Sequence, residues 1–124
     1  MRPSIPVIAL ALTLTLAVVS AALPVRAHEV FQSSEPAAGA VLAQSPPVIT
    51  LRFEEPVAPR QAQLRTAGGV PLPLADIASK VRVDTVLIAL PDALAPGNYV
   101  LDWMVQTIDH HPSSGTIPFT ITAP

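Results

Sequence analysis

The chain has 124 residues, a formal net charge of −2 with histidine neutral, and no cysteine. That length suits one small domain. The missing cysteines exclude disulfide staples, and the acidic balance excludes nucleic acid as a partner.

The first element is a leader. Arg2 gives a minimal positive start, an apolar run follows from Ile5 to Leu23, and "PVRA" closes it with small residues Val25 and Ala27 at the −3 and −1 positions. This order is that of a secretory signal peptide, residues 1–27, cleaved after Ala27. An uncleaved anchor is the alternative, since the run is nearly long enough to span a bilayer. The domain proper is then 28–124. Losing Arg2 and Arg26 leaves five basic and nine acidic residues, a net charge of −4. No basic patch is present to hold anionic lipid, and no later apolar run is long enough to cross a membrane.

Beyond the leader the chain is punctuated by Pro and Gly: "EPAAGA", "QSPP", "EEPVAP", "AGGVPLP" and "LPDALAPGN". Breakers this closely spaced forbid long helices and mark turns between short strands. In "VITLRFEE", Ile49, Leu51 and Phe53 share one face, opposite Thr50, Arg52 and Glu54. "AQLRTAGGVPLPL" follows as a strand, a Gly-Gly turn and a short return strand. "PLADIASKV" has room for a helical turn at most. "TVLIAL" is continuously apolar, as a central strand would be. In "YVLDWMVQ", Tyr99, Leu101, Trp103 and Val105 share a face, and in "TIPFTIT" so do Ile117, Phe119 and Ile121. Period-two alternation of this kind is what a half-buried strand requires. About seven short strands around one inward tryptophan predict an all-β fold, a β-sandwich.

The titratable groups concentrate in "TIDHHPSSG", Thr107–Gly115, which holds two of the three histidines; the third is His28. Asp109 and His111 are two apart, so extended backbone would put both side chains on one side, with His110 opposite. Pro112 restricts the residue before it, His111. The plain alternative is a polar loop in which Asp109 caps a turn and the histidines are solvated. Cleavage after Ala27 adds a further donor, because His28 then offers a free α-amine as well as its ring. Three nitrogens and one oxygen, without thiolate, form a donor set that Cu(II) prefers. Glu54 stands at a strand end, either as solvated rim or as an acceptor behind a ligand imidazole.

Two blocks of sequence resemble the CopC-type periplasmic copper-binding, copper-resistance family. "AHEVFQSSEPAAGAVLAQSPPVITLRFEEPV" is similar to that family's opening, in which the leader ends just before His. "LAPGNYVLDWMVQTIDHHPSSGTIPFTIT" is similar to its signature Tyr-x-x-x-Trp-x-x-x-(Ser/Thr)-x-Asp-x-His-Pro-x-x-Gly-x-x-x-Phe. The resemblance implies an immunoglobulin-like Greek-key β-sandwich or barrel. It implies one Cu(II) ion held by His28, through amine and ring, with Asp109 and His111. His110 stands where relatives often have Gly.

The resemblance also implies a function: a periplasmic carrier or buffer of Cu(II) in resistance or homeostasis, without enzymatic activity, that hands copper to a CopD-like inner-membrane protein. Some relatives carry a methionine-rich Cu(I) site. Here Met104 is the single methionine beyond the leader, too few thioethers for such a site. Two other classes are weighed against the carrier. One is an immunoglobulin-like interaction module with incidental histidines. The other is a copper-dependent oxidative enzyme, which would need an open coordination face and aromatic residues free to stack on substrate.

Overall fold

The computed structural model describes residues 30–123. The expectations for the leader, its cleavage and His28 fall outside those residues. Among the described residues the chain forms seven strands and no helix: β1 (Phe31–Glu35), β2 (Ala40–Leu42), β3 (Val48–Thr66), β4 (Pro71–Leu72), β5 (Val83–Ala89), β6 (Gly97–Gln106) and β7 (Pro112–Ile121). The all-β expectation and the strand number stand.

The organising element is β3, 19 residues long. Its first half pairs antiparallel with β1 on one side and β5 on the other. Its second half pairs with β6, from Ala58 opposite Gln106 to Thr66 opposite Tyr99, and with β4. The sheet continues from β6 to β7 and ends at β2, which runs parallel to β7. The sequence reading placed a turn at "EEPVAP". The chain instead carries on as a single strand that bends there, with pairing irregularities between Arg52 and Val57 and between Pro59 and Gln61. A proline has no N–H to give a ladder, and a bulge is where a strand tolerates one. Pro56 and Pro59 therefore bend β3 from one layer into the other without reversing it.

A second correction concerns β5. It pairs only with β3, and Leu87 is 63 % exposed between buried Val86 and Ile88. "TVLIAL" is thus an edge strand with one wet face. Apolar content alone did not show which of its residues the layer would cover. "PLADIASKV" adopts neither helix nor strand, and the Gly-Gly turn leads into β4 as expected, with Gly69 at φ 95°.

The inward faces are those read from alternation. Ile49, Leu51 and Phe53 come from β3, Tyr99, Leu101, Trp103 and Val105 from β6, and Ile117, Phe119 and Ile121 from β7; all are buried. At the centre Trp103 stacks on Phe31 (ring centroids 5.2 Å apart) and meets Phe53 edge-on (5.4 Å). Gly115 lies opposite Trp103 in the β6–β7 register, and a Cβ there would come within 2.7 Å of the indole. Glycine is therefore needed so that the indole can lie against the β7 backbone. Gly115→Ala will force the ring or the strand aside and cost about 1–3 kcal/mol of stability, the usual range for overpacking. Urea unfolding checks this, and an unchanged midpoint would contradict the packing described.

Candidate metal centre

The β6–β7 hairpin closes with Gln106 opposite Pro112, leaving Thr107–His111 as its tip. The Thr107 N–H donates to the His111 carbonyl at 2.9 Å, and the His110 N–H donates to the Thr107 carbonyl at 3.0 Å. His110 has φ 65°, in the left-handed region. A tight turn followed by a left-handed residue is the usual three-residue hairpin connection, and glycine is the residue that takes that last place without strain. This accounts for His110: it fills a backbone position, and its side chain is exposed.

The same turn brings Asp109 and His111 together. His111 Nδ1 lies 3.0 Å from Asp109 Oδ2, with both side chains open to solvent. The expectation of a side-by-side pair is correct, although its stated reason was not. The two meet because the left-handed step at His110 folds the chain back, and no extended segment is involved. The other carboxylate oxygen, Oδ1, accepts a hydrogen bond from the Thr107 hydroxyl. That hydroxyl also accepts from the His111 N–H at 3.2 Å and lies 3.1 Å from the His111 carbonyl. The carboxyl of Asp109 is held below its ordinary range. The Thr107 hydrogen bond is the main cause; desolvation, next in size, opposes it, and the hydrogen bond and charge of His111 add smaller contributions in the lowering direction.

The pair fits a metal. Two donors each about 2.0–2.1 Å from one ion, at right angles, lie about 2.8–3.0 Å apart. The Nδ1–Oδ2 spacing of 3.0 Å is that of a direct hydrogen bond between the two side chains, and it is also compatible with that edge. Among the described residues no group of three or more His, Cys, Asp or Glu gathers to hold a metal ion, so the hairpin contributes two donors.

The described chain begins beside β3. The buried Val30 accepts a hydrogen bond through its carbonyl from the Glu54 N–H at 2.7 Å, and Phe31 is opposite Phe53. Further along β3, Ala58 faces Gln106 at the foot of the hairpin. Arg82 braces that foot, donating to the Gln106 carbonyl at 3.2 Å. The residue that sequence reasoning left without a role is Thr107. Its signal was modest: a Thr two before an Asp at a strand end can close a side-chain turn.

Comparison with known proteins identifies the family. The model of the CopC domain matches residues 31–122. The curated Protein YobA of Escherichia coli K12 is 29 % identical over 98 residues, covering 77 % of this chain and 79 % of that protein. Among solved structures, CopC from Methylosinus trichosporium OB3b is 26 % identical and superposes with a TM-score of 0.63, covering 77 % of this chain and 95 % of its own. PcoC, a methionine-rich copper resistance protein from Escherichia coli, is 29 % identical with a TM-score of 0.61, covering 77 % and 100 %. With the family model spanning nearly the whole described fold, the chain belongs to the CopC domain family.

Proposed function

We propose that the mature chain is a periplasmic copper-resistance or homeostasis protein that carries one Cu(II) ion, held by the amine and ring of His28 together with Asp109 and His111. The observation that carries this reading is the Asp109–His111 pair at metal-donor spacing. Copper is the metal because the family's solved members are copper resistance proteins, and nitrogen-rich donors without thiolate suit the divalent ion. Met104 lies alone on the outward face of β6, 39 % exposed, which favours a single hard site over a thioether site for Cu(I). Binding without catalysis is favoured because Tyr99 and Trp103 are only 6 % and 5 % exposed, and so offer no stacking platform for an oxidisable substrate. A CopD-like inner-membrane protein is the natural acceptor.

Cu(II) titration of protein beginning at His28, against a competing chelator, tests the reading. His111→Ala will weaken binding strongly. Asp109→Ala will weaken it less, since water replaces a carboxylate. His110→Ala will matter least. Repeating the titration between about pH 8 and 5 adds a sign: imidazole and amine, with ordinary values near ~6.5 and ~7.7–8.0, must shed protons to bind, so affinity falls as pH falls. Asp109, held below the carboxylate range, stays ionised there and does not contribute to the fall. An affinity independent of pH, or a larger loss at His110 than at His111, would overturn this donor set.

A further inference from the structure

We infer that Thr107 is the positioning residue of the metal centre: its buried hydroxyl fixes how Asp109 and His111 are presented to a divalent cation and sets the affinity without touching the ion. The inference rests on the donor pair proposed above and adds a residue to which that proposal gives no role.

The contrast in burial is the starting point. Asp109 and His111 have side chains 72 % and 76 % exposed, and exposed side chains ordinarily sample several rotamers. Thr107 is 6 % exposed and directly follows β6, whose last inward residue, Val105, is fully buried. Threonine is branched at Cβ and therefore stiff at χ1. Its hydroxyl thus has a fixed place in the core-facing end of the hairpin, and it contacts both donor residues. The single hydroxyl proton goes to Asp109 Oδ1, and the oxygen accepts from the His111 N–H at 3.2 Å. With Oδ1 engaged, Oδ2 is the oxygen left to face His111 Nδ1. The contact to the His111 backbone sets where that residue leaves the turn. One rigid hydroxyl therefore restricts both halves of the chelate, and ordering donors before the ion arrives removes an entropy cost from binding.

The test uses mature protein beginning at His28. Thr107→Val keeps the branched shape and removes the hydroxyl; Thr107→Ser keeps the hydroxyl; Thr107→Ala removes it without added bulk should valine prevent folding. Loss of an outer hydrogen-bond partner typically costs 10–100-fold in metal affinity, and a loss of about that size is expected for valine or alanine, with serine near the parent. In metal-free protein, NMR couplings that report χ1 of Asp109 will be averaged in the valine variant and fixed in the serine variant. The decisive arm is the Asp109→Ala background, where Thr107→Val will cause a smaller further loss, because only the hydroxyl's contact to the His111 backbone then remains to be removed. Parent-like affinity for both the valine and the alanine variant would overturn the inference. An equal loss with and without Asp109 would also overturn it, by assigning Thr107 a general structural role. If Asp109→Ala and His111→Ala both leave Cu(II) affinity unchanged, the donor pair itself is wrong, which is a distinguishable outcome.

Discussion

Mature protein carrying one extra alanine ahead of His28 will bind Cu(II) more weakly by orders of magnitude than protein that begins at His28. Both forms keep all three histidines and Asp109, so the difference isolates the chain terminus. The extension converts a free amine, with an ordinary pKa near ~7.7–8.0, into an amide that coordinates only after losing a proton it holds far more tightly. One chelate ring is lost, and the terminus is displaced from the ion. In the proposed set the hairpin would supply two donors, Asp109 and His111, so the amine and ring of His28 would be the other half. The comparison is made by competition titration with electron paramagnetic resonance of the bound ion, which reports the number of nitrogens. Equal affinity and an unchanged spectrum would remove the amine from the site.

The second large effect is on stability. Trp103→Ala will cost about 3–5 kcal/mol, the range for deleting a buried aromatic side chain. The indole stacks on Phe31 at 5.2 Å, meets Phe53 at 5.4 Å and covers Gly115, so its removal opens a cavity between β1, β3, β6 and β7. Gly115 has no side chain with which to fill it. Small domains have about 5–15 kcal/mol in total, and this chain has no disulfide to offset the loss. Each kcal/mol lowers the melting midpoint of a domain this size by roughly 4–8 °C, so a fall of well over ten degrees is expected by calorimetry. A loss below about 1 kcal/mol would show that the aromatic cluster is not the centre of the core.

Much of this fold was legible because alternation is a local property. The buried faces of β6 and β7, and of the first half of β3, follow from side chains pointing alternately in and out. Asp109 and His111 were legible as a pair because their separation in sequence is short. The continuity of β3 was not legible, because Pro56 and Pro59 break a strand in most settings and are tolerated here only where the ladder is irregular. β2 was missed because three residues held parallel to β7 carry no alternation long enough to read. The edge position of β5 depends on what lies beside it, and Thr107 depends on where one hydroxyl points. Those are properties of the assembled structure.

The parallel pairing of β2 with β7 has a consequence for how the chain is made. Ala40–Leu42 lies beside Phe119–Ile121, so one of the first strands to leave the ribosome is completed by the last. The second half of β3 likewise waits for β6. The N-terminal part holds the β1–β3 and β3–β5 pairs, but the layer of β6, β7 and β2 cannot close without residues 97–121, and contacts this distant in sequence are closed late and slowly. A chain of this topology therefore cannot complete its second layer until β7 is available to receive β2.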